Sequence, residues 1–176
     1  MSANIEDRAA VSITGALQTE AAIIQNLVQL YTHDFSEFWG GTKRGDLNAE
    51  GRFDAYPLDD YWSRPNWSAL FIWCRGALAG FSLLNDETHS GLAANRNMGE
   101  FFILRKHRGR GVAQFAAEAI FSAHPGLWEI AVTRRNVRAR QFWRKSMLHS
   151  GRASNVQELE LRNAQWNGPV FRFVWK

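Results

Sequence analysis

The chain has a single cysteine, Cys74, only four prolines in 176 residues, and no long apolar run. One cysteine excludes an intrachain disulfide framework and suits a reducing compartment, so the expected location is the cytoplasm. No stretch reaches the ~20 apolar residues that a membrane-spanning helix needs, and no membrane partner is expected. Residues 1–8 contain acids and lack an apolar core, so they do not read as a secretory leader. His33, His89, His107, His124 and His149 show no ligand spacing with one another or with Cys74, so no metal is expected. There is no G-x-S-x-G nucleophile elbow. Acids are scarce in one region. From Arg105 to Arg152 only Glu118 and Glu129 are acidic, against eleven of the chain's twenty-one basic residues. That bias points to an anionic ligand, and a nucleic acid and a small phosphorylated cofactor satisfy it equally.

What is present fits one folded domain over residues 1–176. The length suffices for a core, and eight tryptophans argue against disorder. Residues 12–17 read as a first strand. Ala22, Ile23, Leu27, Leu30 and Tyr31 recur at helical spacing, and that helix is expected to end near His33. Phe35, Phe38 and Trp39 are then expected in a second short helix. Residues 40–52 form a polar, glycine-bearing loop, and one or two helical turns fit between Pro57 and Pro65. Residues 69–74 and 77–84 read as a hairpin around Arg75-Gly76, and residues 100–104 as another strand. An amphipathic helix over 111–124 carries Val112, Phe115, Ala116, Ala119, Ile120 and Ala123 on its apolar stripe. Pro125-Gly126 stops it. A strand over 127–132 follows, then a helix capped by Asn136 with Ala139, Phe142, Trp143 and Met147 on one face. Two strands, 156–161 and 170–175, close the chain. The expected class is mixed α/β: a mostly antiparallel sheet with one parallel strand–helix–strand crossover.

The most telling junction is Arg108-Gly109-Arg110-Gly111-Val112-Ala113, between a strand and a helix. Glycines let the backbone approach a ligand, and a helix start offers unpaired N–H groups and the positive end of a dipole. A pyrophosphate is the natural occupant. Arg105, Lys106, Arg108 and Arg110 flank the turn. A P-loop is excluded because Val112-Ala113 replaces its Lys-Ser/Thr. A dinucleotide fingerprint is excluded because Gln114 stands where Gly or Ala is needed.

The order strand, Arg-x-x-Gly-x-Gly/Ala, helix, strand, Asn-x-x-Ala-x-x-aromatic-aromatic resembles the GNAT superfamily of acetyl-CoA-dependent N-acetyltransferases. Tyr61-Trp62 and the 136–145 segment are similar to a bacterial predicted-acetyltransferase subgroup. Arg108, Gly111 and Ala113 occupy the defining places of that turn, and Asn136, Ala139 and Phe142 those of the later helix. The hairpin bearing Gly80-Phe81 is similar to the family's central strand pair. The resemblance covers most of residues 67–150. It implies a GNAT-like sheet with helices on both faces, and acetyl-CoA as cosubstrate without metal.

It further implies that Arg108, Gly109, Arg110, Gly111, Val112 and Ala113 hold the pyrophosphate. The pantetheine arm would add as a strand against Phe102, Ile103 and Leu104. Asn136 would fix the arm or the opening between two splayed strands. Arg138, with Arg134, Arg135, Arg105 and Lys106, would be available to the 3′-phosphate.

Direct transfer needs a base for the amine, and Glu100 is the expected one. Asp34, Glu37, Asp59 and Asp60 are the other acids that could draw a cationic amine. Many family members use a tyrosine on the last helix to protonate the thiolate; Trp143 stands there, and an indole N–H is no proton source at neutral pH. Tyr56, Tyr61 and Trp62 either line the acceptor cleft or anchor their loop. The expected function is acetyl transfer to a primary amine of a small molecule or peptide, by a monomer or homodimer. The alternative is a non-catalytic acyl-CoA sensor. The CoA phosphates account for the basic stretch, so no nucleic-acid partner is expected.

Overall fold

The computed structural model describes residues 10–176; the leader reading of residues 1–8 falls outside them. Among the described residues one sheet of seven strands runs β1-β2-β3-β4-β5-β7-β6. The strands are β1 (Val11–Gly15), β2 (Ser68–Cys74), β3 (Ala77–Asn85), β4 (Arg96–Ile103), β5 (Gly126–Ala131), β6 (Ala153–Arg162) and β7 (Asn167–Trp175). The helices are α1 (Ala21–Ser36), α2 (Asp60–Ser63), α3 (Val112–Ala123) and α4 (Val137–His149). Only β4 and β5 pair in parallel, joined through α3; every other neighbouring pair is antiparallel. The expected α/β class and the single crossover are therefore present.

Three expectations are corrected. The first helix does not stop near His33 but continues to Ser36, and Phe35 lies within it. Tyr31 and Phe35 are one helical turn apart with ring centroids at 4.7 Å, so aromatic packing carries the helix past the polar Thr32-His33-Asp34. Phe38 and Trp39 follow in a turn rather than a second helix. Next, β4 begins at Arg96, not Glu100, because its first residues are the ones that meet β5. Finally, the α3 stripe is rotated: Ala119 and Ala123 are exposed, while Ala117 and Phe121 are buried. Phe121 governs that rotation, with its ring against Trp128, Trp143, Phe173 and Trp175.

The sheet carries a core on each face. Under α3 and α4 lie Met98, Ile120, Phe121, Trp128, Ile130, Trp143, Met147, Phe171 and Phe173. Under α1 lie Ile24, Leu27, Val28, Tyr61, Phe71, Phe81, Leu83 and Phe102. Gly80 allows β3 and β4 to close up, since a Cβ there would stand 1.9 Å from the Phe102 carbonyl oxygen. Glu129 of β5 and Arg172 of β7 form a buried ion pair at 2.6 Å. Glu129 also accepts the His89 and Ser90 amides at 2.6 and 3.1 Å, and Arg172 donates to the Leu92 and Ala93 carbonyls. With its charges partnered this way, the pair holds the β3–β4 loop onto the sheet.

Candidate active site

The site begins where β4 and β5 part. They pair only at Arg96–Trp128 and Asn97–Glu129. Beyond Asn97 β4 keeps β3 on one edge and has no strand on the other. The Leu104 amide donates to Ala79 O at 2.8 Å and the Phe102 carbonyl lies against Gly80, so this parity faces β3. By alternation Phe101 and Ile103 present their main-chain groups to the open edge. Phe102 and Leu104, expected to contact a cofactor through backbone, have theirs turned toward β3; those of Ile103 face the open edge, where its carbonyl accepts the Arg108 guanidinium at 2.7 Å.

A bulge decides which side chains look into this opening. Leu83 pairs with Glu100 and Leu84 with Met98, leaving Gly99 as the extra residue of β4. Met98 and Phe101, three apart, therefore both pack on the α3/α4 core, while Glu100 and Phe102 face α1. In a regular strand Met98 and Glu100 would share a face.

The cleft at the parting encloses about 80 Å³, and its walls include Tyr31, Phe35, Gly99, Glu100, Phe101, Ile130, Thr133, Asn136 and Trp143. Glu100 is its one carboxylate. Oε2 accepts the Tyr31 hydroxyl in a short hydrogen bond, and Oε1 accepts the Tyr56 hydroxyl at 3.0 Å. Burial pushes the Glu100 carboxyl above its usual range, and the two phenols and the charge of Arg44 offset only part of that rise. Burial and the neighbouring Glu100 charge push both Tyr31 and Tyr56 well up, keeping the phenols protonated as donors.

Local structure explains why those tyrosines arrive. Tyr31 sits on the inward face of α1. Tyr56 is delivered by two glutamines one turn apart on α1. Gln25 bonds the Tyr56 main chain through both its amide atoms, at 2.6 and 3.1 Å. Gln29 does the same to Phe53, at 3.1 and 2.9 Å. Residues 53–56 thus dock on the helix as an extended segment. Tyr61 is buried in the α1 core, and the Trp62 indole donates to Ala16 O at 2.7 Å, so these two anchor their segment. Helical periodicity places Tyr31 only on an apolar stripe and is silent on its role in the site. The signal that could have found it is that stripe itself, because a phenol on a buried face needs a partner.

The glycine turn lies just past the open edge of β4. Gly109 and Gly111 have φ of 74° and 80°, left-handed values that glycine adopts without strain. Gly111 caps α3, and the Phe115 amide is the first to bond back, to Gly111 O at 3.0 Å. The amides of residues 109–114 have no hydrogen-bond partner among the described residues. Together with the helix dipole they form a positively polarised cradle.

The arginines around the cradle divide. Arg108 does not point into it: its guanidinium donates to Asp34 at 2.6 Å and to Ile103 O at 2.7 Å. Arg105 meets the same carboxylate at 2.6 Å. Burial raises the Asp34 carboxyl, but the hydrogen bonds from Arg105 and Arg108 outweigh it and hold it below the usual range. Asp34 is thereby neutralised and offers little to a cationic amine. Arg134 is engaged by Glu160 and Asn167, and Arg135 by Phe38 O. Lys106, Arg110 and Arg138 are exposed and make no ion pair among the described residues. Asn136 caps α4 by accepting the Ala139 amide at 3.0 Å. Trp143 is buried, with its ring 5.2 Å from that of Phe101, and is both core and cleft wall.

The chain superposes along most of its length on known structures. An acetyltransferase from Thermus thermophilus superposes with a TM-score of 0.62 at 12% identity, over 94% of this chain and 96% of its own. A GNAT-family acetyltransferase from Streptococcus agalactiae gives 0.60 at 16% identity, over 94% of each chain. AAC(6′)-Ib, solved in complex with paromomycin and acetyl-CoA, gives 0.58 at 13% identity, over 95% of this chain and 93% of its own. The chain has the GNAT fold. No protein-family model and no curated protein sequence matches it. Within the GNAT fold, the β4–β5 opening and Glu100 share one cleft, and the Gly109-to-Ala113 cradle follows β4 in the chain.

Proposed function

We propose that this chain transfers the acetyl group of acetyl-CoA to a primary amine. One observation carries the reading: unpaired turn amides follow an open β4 edge, and that strand carries a half-buried carboxylate held by two phenols. The amides of Gly109, Arg110, Gly111, Val112 and Ala113 would receive the pyrophosphate. Phe101 and Ile103 would pair with the pantetheine arm as an added strand. Arg138, Lys106 and Arg110 are the cations available to meet the 3′-phosphate. Arg108 acts indirectly, by fixing the turn to α1.

Glu100 serves as the base that takes the proton of the attacking amine. Its raised pKa makes it a better match for that task than an ordinary carboxylate. The acceptor is a small molecule or peptide amine, and the chain acts as a monomer or homodimer. The free Cys74 is in keeping with a cytoplasmic protein. The second reading, a non-catalytic acyl-CoA sensor, rests on Trp143 in place of a tyrosine. Tyr31 weakens it by bringing a phenol to the same cleft from the other side. Release of free thiol from acetyl-CoA, followed across spermidine, paromomycin and a peptide with a free amino terminus, tests the proposal. Amine-dependent release supports transfer, and tight CoA binding with no release on any amine supports the sensor.

A further inference from the structure

The transfer reading leaves one proton without a source. The departing sulfur must be protonated, and the indole of Trp143 cannot do it. Of the side chains lining the cleft, only Tyr31 and Thr133 carry a hydroxyl. An aliphatic hydroxyl is a far weaker acid than a phenol, which leaves Tyr31. Its hydroxyl also bonds directly to the carboxylate that would collect the amine's proton. Tyr56 touches the same carboxylate but is not part of the cleft wall.

Resting on the transfer reading above, we propose that Tyr31 is the general acid of the reaction, supplied with its proton by Glu100. The step balances within these two groups. The amine nitrogen bonds to the acetyl carbon, and the ammonium proton passes to the Glu100 carboxylate. The carbon–sulfur bond breaks, and sulfur takes the Tyr31 hydroxyl proton. The Glu100 carboxylic proton moves to the Tyr31 oxygen, restoring both residues. The amine's hydrogen ends on the thiol, with no outside donor.

The electrostatics favour this order. Tyr31 is faced by Glu100 from β4, and by Tyr56 and Arg44 from the segment between α1 and α2. Burial and the Glu100 charge hold its proton tightly at rest. Once Glu100 is protonated that charge is gone, so the phenol becomes a readier donor just as the thiolate forms. Glu100 is faced by Tyr31, Tyr56 and Arg44, and no acid opposes its ionised form.

The test varies the leaving group. A selenoester analogue of acetyl-CoA, with selenium in place of the thioester sulfur, expels a selenolate that leaves without protonation. The acceptor is whichever of spermidine, paromomycin and a free-amino-terminal peptide the wild type acetylates. Tyr31→Phe keeps the ring that packs on Phe35, Phe81 and Phe102. It is expected to lose roughly 100-fold in kcat with acetyl-CoA, the scale of general-acid catalysis, and less than about tenfold with the selenoester. Tyr56→Phe is expected to lose equally on both donors. Equal loss on both donors for Tyr31→Phe overturns the proposal and leaves Tyr31 a positioning residue. A wild type that binds CoA but acetylates none of the amines removes the transfer reading itself. Should Tyr31→Phe fail to fold, 3-fluorotyrosine at position 31 keeps the shape and strengthens the acid. The rate with acetyl-CoA then changes while the rate with the selenoester holds, and an equal change on both donors overturns the proposal.

Discussion

The Arg108 guanidinium lies 2.6 Å from the Asp34 carboxylate, tying the glycine turn to α1 across 74 residues of sequence. Arg105 grips the other oxygen of the same carboxylate. The turn is thus braced by charge before any anion arrives. Asp34→Asn is expected to cost no more than about 1 kcal/mol of stability, because both arginines reach solvent. It is also expected to weaken CoA binding, read by calorimetry, because the turn loses its brace to α1. Unchanged affinity would mean that the turn keeps its shape without Asp34. The folded pKa of Asp34 is depressed, so its contribution to stability is complete above about pH 4 and is lost as pH falls through the folded value. The Asn variant therefore loses less stability than wild type on acidification, which denaturant titrations at several pH values measure.

Gly111 isolates the charge of the cradle from its geometry. With φ at 80°, any side chain there carries left-handed strain of about 1–2 kcal/mol. Gly111→Ala and Gly111→Glu share that strain, but only the glutamate adds a negative charge beside the free amides. Both are expected to melt at similar temperatures, with CoA affinity falling much further for Glu than for Ala. Equal affinities would show that the pyrophosphate does not dock at this turn.

Glu100 sets a pH signature. Burial raises its carboxyl, so the acidic limb of the rate profile is expected above the ordinary glutamate value of about 4.3, with activity rising as the group ionises. Glu100→Gln is expected to lower kcat, remove that limb and leave CoA affinity unchanged. A profile that keeps its limb in the variant would take the base role away from Glu100.

The buried pair of Glu129 and Arg172 predicts a purely structural effect. Arg172→Met leaves the fully buried Glu129 without its cation, with only the 89–90 segment as donor. A loss of about 3–5 kcal/mol is expected in urea unfolding. Hydrogen exchange is expected to quicken in residues 89–93, which Arg172 ties to the sheet through the Leu92 and Ala93 carbonyls. An unchanged midpoint would mean that the loop is fixed by other contacts.

The order of strands and helices is legible because β2 and β3 are near-continuous apolar runs about a glycine turn, α3 and α4 repeat at helical spacing, and Pro125-Gly126 and Asn136 mark helix ends chemically. The cradle is legible as well, since glycine spacing and a helix start state its physics locally. What sequence hides is non-local. Glu100 stands out by position, but its two phenols come from 69 and 44 residues away. The Gly99 bulge inverts strand parity, so alternation alone does not say which face Glu100 takes. Arg108 has the place of an anion ligand in sequence, and only the fold brings up Asp34, far along the chain, to hold it. Gln25 and Gln29 give no hint of their role, because two-point bonding to a passing backbone leaves no pattern in the helix that provides it.

The most direct test is a structure of the protein with CoA. The account predicts diphosphate oxygens on the amides of residues 109–113, the pantetheine arm along the free edge of Phe101 and Ile103, and the thiol within reach of Tyr31 and Glu100. A CoA lodged elsewhere, or a diphosphate held by side chains with those amides left bare, would contradict it.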